Sequence, residues 1–134
     1  MPEDKKYQTG RFGWVDLTVD NAEQVRDFYQ QVVGWGSVPF SMGDYEDYCM
    51  TPPGSEQPVA GVCHARGNNA GLPPQWLMYI TVEDLDKSLD QCSSLGGSVL
   101  AGPKQAGPEG RFAVIKDPAG AVCALYQHIV TNEE

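Results

Sequence analysis

The stretch WVDLTVDNAEQVRDFYQQVVG at 14–34 is matched by LMYITVEDLDKSLDQCSSLGG at 77–97, with every position displaced by 63 and no gap. Val19 falls on Val82, Asp20 on Glu83, Asn21 on Asp84 and Gly34 on Gly97. A chain that writes one strand, one turn and one helix end twice is constrained to fold as two copies of a single unit. Each copy opens in alternation, so that in the first Val15, Leu17 and Val19 point one way while Trp14, Asp16 and Thr18 point the other. Asn21 and Asp84 are placed to accept N–H groups at the start of a helix, and Gly34 and Gly97 to end it in the left-handed conformation.

The rest of the chain completes each copy with further strands. In the first half the pattern predicts a strand over 11–19 and a helix over 21–33, whose stripe Val25, Phe28, Tyr29 and Val32 is expected to be core. Strands follow over 36–41 and 45–50, turning at Met42-Gly43-Asp44, and over 59–65 after the loop TPPGSEQP. RGNNAGLPPQ, at 66–75, has the composition of a linker. The second half repeats the order with a strand over 76–82, a helix over 84–95 carrying Leu85, Leu89, Cys92 and Leu95 on one face, and a strand over 98–101. After the loop GPKQAGPEG, strands over 111–116 and 121–127 are joined by Asp117-Pro118-Ala119-Gly120, a sequence made for a type I turn. The expected layout is a flexible tail over 1–10, one domain over 11–128 with modules at 11–65 and 76–128, and a C-terminal tail over 129–134. Modules of ~60 residues are marginal alone, so the two are expected to share a core.

Eighteen acidic against nine basic residues give a formal charge of −9, a field that argues against nucleic acid and anionic lipid as partners. Nothing approaches the run of about 20 apolar residues that a membrane span needs. The polar opening MPEDKKYQTG lacks the apolar core of a secretory signal, which points to the cytoplasm. Cys49, Cys63, Cys92 and Cys123 form no CxxC pair and lie in apolar surroundings, as buried, unbridged thiols in a reducing compartment do.

On VDNAEQVRDFYQQVVGW, TVEDLDKSLDQCSSLGG and FAVIKDPAGAVCALYQ, in that order and spacing, the chain resembles the vicinal oxygen chelate superfamily, which comprises the glyoxalase, bleomycin-resistance and extradiol dioxygenase proteins. FYQQVVGW is similar to the glyoxalase-like branch. The resemblance implies an α+β fold in which two βαβββ modules in tandem form one curled mixed sheet around a shared cleft, helices outside. It also implies a homodimer and, in its enzymes, a divalent metal (Zn, Ni, Fe or Mn) held by side chains on inward-facing strands. Carried over residue by residue, the family's histidine of the first strand corresponds to Trp14, its equivalent in the second module to Leu77, and the glutamate of the last strand to Ala124. The remaining position falls near Val62, Cys63 or His64. With at most one ligand of four retained, no metal is expected.

The candidate ligand-binding residues are Trp14, Asp16, Tyr48, His64, Tyr79, Arg111 and Tyr126. Asp16, on the face of Trp14, is either a ligand, a base or an anchor for a cation, or else a structural acid satisfied within the fold. His64 is a hydrogen-bonded structural histidine or a group for acid/base work. Trp14, Tyr79 and Tyr126, with Tyr48 or Met50, either fill the cleft or stack on a flat ligand. Arg111 clamps a carboxylate or pairs with an acid such as Glu109. His128 is expected to be solvent-exposed. The reading that accounts for these residues is a protein that binds a small organic molecule in the inter-module cleft without a cofactor. The alternatives are a metal-dependent glyoxalase-like lyase, isomerase or dioxygenase with a non-standard ligand set, and an interaction module whose cleft has closed on its own side chains.

Overall fold

The computed structural model describes residues 7–129; the remainder of the two expected tails lies outside them. The fold is α+β, with two βαβββ modules in tandem. In chain order the elements are β1 (Phe12–Val19), α1 (Ala22–Val33), β2 (Gly36–Ser41), β3 (Glu46–Thr51), β4 (Ala60–His64), β5 (Trp76–Thr81), α2 (Leu85–Ser94), β6 (Ser98–Gln105), β7 (Gly110–Lys116) and β8 (Val122–His128). The two helices begin 63 positions apart, at Ala22 and Leu85. A single helical turn at Gly67–Asn69 lies within the expected linker.

Two compact units divide these elements. The first is Val15–Trp76; the second joins the described residues up to Trp14 with those from Leu77 onward. In the first unit the strands run β2-β3-β4-β1, with β1 parallel to β4 from Asp16↔Gly61 to Val19↔His64 and the other pairs antiparallel. In the second they run β5-β8-β7-β6, with β5 parallel to β8 from Tyr79↔Ala124 to Thr81↔Tyr126. Each helix carries the chain from the first strand of its module to the strand at the far edge, and two antiparallel pairings then bring the fourth strand back beside the first, in parallel.

The core of the first unit lies under α1. Ala22, Tyr48, Met50 and Val62 are buried there, flanked by Val19, Val25, Trp35 and Trp76. The Trp76 indole N–H donates to the Tyr29 hydroxyl at 3.1 Å. In the second unit Leu85 and Leu89 of α2 pack on Ala113 and Leu125, with Ile80, Val82 and Ile115 around them. Each fully buried side chain of this size stabilises by about 1.5–3 kcal/mol.

Both helices bury less than their periodicity predicts. Val25 and Tyr29 face inward, but Phe28 is 55% and Val32 63% exposed, and Leu95, expected on the face of the second helix, caps α2 at 71% exposure. α1 meets its sheet along the narrower line Ala22, Val25, Tyr29, which leaves the edge of the apolar stripe outside. The caps differ as well. The Asp84 carboxylate accepts from the Lys87 N–H, whereas Asn21 makes no side-chain cap and instead donates to Gln24. Gly34 ends α1 at φ 86° as expected, but after α2 it is Gly96, at φ 99°, that turns left-handed. Gly97 is needed for space, because a Cβ there would stand 2.8 Å from the Lys116 carbonyl oxygen.

The turn at 117–120 forms as predicted, with the Asp117 carboxylate accepting from the N–H groups of Ala119 (2.8 Å) and Ala121 (3.0 Å). β6 is longer than expected. It continues past residue 101 to Gln105 by way of register shifts against β7, so the loop GPKQAGPEG is half strand. Residues 7–10, assigned from sequence to a flexible tail, are held: the Gly10 N–H donates to the Thr81 carbonyl at 2.7 Å.

Candidate functional site

One face of the second unit's sheet is committed to α2 through Ile80, Ala113, Ile115 and Leu125. Strand alternation therefore puts Tyr79, Phe112, Tyr126 and His128 on the other face, together with Leu77, Val114 and Ala124. Tyr79 lies beside Ala124 and Phe112 opposite Tyr126. The Tyr79 and Phe112 ring centroids are 6.0 Å apart and tilted by 49°. On the same face Leu77, Val114 and Ala124 are wholly buried. Trp14, half-buried on β1, belongs to the same unit.

The orientation of Tyr126 is set by a glycine. A Cβ on Gly110 would collide with the Tyr126 phenol, so the ring lies over the bare backbone of β7. Its hydroxyl donates to the Glu109 carbonyl at 3.5 Å, a long and weak hydrogen bond. Burial first, then the neighbouring Tyr7 and Glu109, push this phenol above its ordinary pKa, which keeps it an O–H donor. His128 is half-buried where exposure was expected, because Tyr7 stacks on it, centroids 3.8 Å apart and planes 3° from parallel.

Tyr48 and His64 occupy a different environment. Both lie on the α1 side of the first unit's sheet, Tyr48 in contact with the core beneath α1. His64 is held between two acids. Its Nε2 is 3.2 Å from the Glu23 carboxylate of α1, its Nδ1 3.3 Å from Asp47, and its backbone N–H donates to that same Asp47 oxygen at 2.8 Å. The Tyr48 hydroxyl donates to Glu23 at 3.4 Å, and the Arg26 guanidinium covers the Tyr48 ring at 4.5 Å. Hydrogen bonding at its own backbone and then to His64 holds the Glu23 carboxyl below its ordinary range, while burial raises Tyr48. This network fastens α1 to β3 and β4. Asp16 alternates with Leu17 and Val19 and so faces away from α1. Burial, then the charge of Asp16, push the thiol of Cys63 far above its ordinary value.

Arg111 shares the α2 face with Ala113 and Ile115 and pairs with Asp86 at 3.0 and 3.5 Å, not with Glu109. It borders a groove of about 630 Å³ that includes Thr9, Glu83, Asp86, Lys87 and Gln127. At this end of α2 the Leu85 N–H donates to the Gln127 side chain and the Lys87 N–H to Asp84. Of the seven candidates, the structure thus joins Tyr79 with Tyr126 on one aromatic face and Tyr48 with His64 under α1. Asp16 lies on the face of its sheet away from α1, and Arg111 on the α2 face.

The described residues at the carried-over ligand positions do not fit a divalent metal. Trp14, Leu77 and Ala124 offer no ligand atom, and both nitrogens of His64 already face carboxylates. Among the described residues no group of three or more His, Cys, Asp or Glu side chains could hold a metal ion. The sequence reading missed Phe112, which the register with Tyr126 would have revealed. It also missed Glu23, Asp47 and Tyr7, for which no periodicity gives a signal.

A family model described as the Glyoxalase/Bleomycin resistance protein/Dioxygenase superfamily matches residues 11–125. A protein of Mycobacterium tuberculosis that carries the name of a glyoxylase, CFP32, is 34% identical over 131 residues, covering 95% of this chain and 49% of its own length. The anthracycline biosynthesis protein DnrV of Streptomyces peucetius is 32% identical over 112 residues, covering 84% of this chain and 39% of its own. This chain thus spans about half or less of these curated relatives. Among solved structures, methylmalonyl-CoA epimerase from M. tuberculosis superposes with a TM-score of 0.54 at 17% identity, over 92% of this chain and 93% of that one. That likeness is one of fold.

Proposed function

Because the chain belongs to the glyoxalase/bleomycin resistance protein/dioxygenase superfamily, we propose that it binds a small planar organic molecule on the aromatic face of its second unit, without a metal. The observation that carries this reading is the character of that face. Tyr79, Phe112 and Tyr126 share that face with the buried Leu77 and Ala124, the apolar residues that stand at the family's ligand positions. Aromatic rings on an otherwise apolar face favour a flat ligand by stacking and by excluding water, and the Tyr126 hydroxyl, weakly engaged, supplies a polar contact that orients it. A relative named for anthracycline biosynthesis is consistent with a ligand of fused planar rings. The reading includes a cytoplasmic homodimer that does not bind nucleic acid. The −9 charge and the exposed apolar side chains Phe28, Val32, Val38 and Phe40 support it, and sedimentation equilibrium tests the oligomeric state.

Two measurements test the binding reading. After dialysis, zinc, nickel, iron and manganese are expected well below one per chain, and planar arenes are expected to quench tryptophan fluorescence, with Tyr79→Ala and Tyr126→Ala weakening the effect. Near-stoichiometric metal that is lost with His64→Ala or Asp16→Ala would overturn it.

A further inference from the structure

We propose that His64 is a proton-operated latch on the first turn of α1: holding a proton on each ring nitrogen it ties Glu23 to Asp47, and on losing one it lets Glu23 go. Every residue concerned lies in the first unit, so the latch goes beyond the binding reading and is independent of it. The geometry sets a count of protons. Nε2 stands 3.2 Å from the Glu23 carboxylate and Nδ1 3.3 Å from Asp47, so two acceptors face the two nitrogens of one ring. A carboxylate offers no hydrogen and a neutral imidazole carries only one N–H, so a ring that has lost a proton turns a lone pair toward one of the two acids. With both protons in place, each contact is a charge-assisted hydrogen bond.

The surroundings decide which contact yields. Asp47 is buried, and the oxygen that faces Nδ1 also accepts the His64 backbone N–H at 2.8 Å, so the main chain fixes that side. The Cys63 thiol, which burial keeps protonated, hydrogen-bonds to Asp47 as well. Glu23 stands on the helix with its side chain 60% exposed, so water takes the place of its partner at small cost. The proton that remains therefore stays on Nδ1, and the lone pair of Nε2 repels Glu23. From β3, the Tyr48 hydroxyl donates to the same Glu23 oxygen at 3.4 Å, and Glu46 acts on Tyr48. Tyr45 stands edge-on to the imidazole at 5.5 Å, β1 places Val19 beside it, and the two nearby cations, Arg26 and Arg66, lie over the rings of Tyr48 and Tyr45. Because the Glu23 carboxyl is held below its ordinary range, the latch persists in mild acid, and it is the ring that opens it as pH rises.

The test follows the full chain by NMR from about pH 5 to about pH 9, the range in which histidine changes charge. His64 is one of two histidines, so its ring nitrogens are readily assigned. At the acid end both should show the imidazolium shift. As the ring loses its proton, exchange protection of the Val25 N–H, which closes the first turn of α1 on the Asn21 carbonyl at 3.1 Å, should fall with the same midpoint. The expected fall is roughly two- to five-fold after correction for the intrinsic pH dependence of exchange, the worth of one exposed charged contact. In Glu23→Gln the side chain can accept from an N–H or donate to a lone pair, so the His64 transition should no longer move Val25. A ring with one proton at the acid end, or with two at the alkaline end, overturns the latch. So does a His64 transition that leaves Val25 unmoved in the wild type, or one that Val25 still follows in Glu23→Gln. If that variant does not fold, the wild-type midpoints decide alone.

Discussion

Gly110→Ala isolates the contact that orients Tyr126. Residue 110 is buried and its φ is not in the left-handed region, so alanine meets no backbone penalty there. The whole cost comes from the added methyl, which collides with the Tyr126 phenol. Overpacking by one carbon destabilises by about 1–3 kcal/mol, and for a domain of this size each kcal/mol lowers Tm by roughly 2–5 °C. In a Tyr126→Ala background the obstacle is gone. The same Gly110→Ala change should then be neutral, or stabilising by about 0.4–1 kcal/mol because alanine restricts the unfolded chain. Urea denaturation of the wild type, both single variants and the double variant closes the cycle. Additive effects would refute the argument, since they would mean that Tyr126 does not occupy the space a side chain at 110 requires.

Two further predictions concern the edges of the site. Glu23 has a depressed carboxyl pKa in the folded state, so its contribution to stability is present above its unfolded pKa and is lost as pH falls. The Tm difference between wild type and Glu23→Gln should therefore be largest near neutrality and shrink on acidification through the carboxylate range; a difference independent of pH between 7 and 3 would contradict the His64–Glu23 pairing. Arg111→Ala should cost only about 0.2–1 kcal/mol, as a partly exposed ion pair does, and should leave affinity for a planar arene unchanged, because Arg111 stands on the α2 face.

What the sequence made legible was whatever depends on local period. The duplicated strand-turn-helix, the alternation along β1 and the turn at Asp117 each need only neighbouring residues, and all three appear where the pattern places them. Tyr79 and Tyr126 were legible for the same reason, since parity along a strand assigns a side chain to one of two faces. Parity does not say which face looks at a helix. That is why His64 and Tyr48 were grouped with Tyr79 and Tyr126, while the structure joins them to Glu23 of α1. The extension of β6 through Gly102 and Pro103 was hidden because a register shift lets a strand absorb residues that read as loop. Tyr7 carried no local signal. Its role depends on where the chain passes before β1, and only the folded structure gives that.

Each unit ends in a strand that pairs on one side only among the described residues, β2 with β3 and β6 with β7. Both strands carry an internal proline, Pro39 and Pro103, and β6 shifts register twice. Proline has no N–H to offer, and a shifted edge does not present a continuous ladder to a foreign strand. Addition of a foreign strand at these edges is thereby discouraged, so an apolar side chain such as Phe40 can stand exposed on β2 without that edge templating amyloid growth.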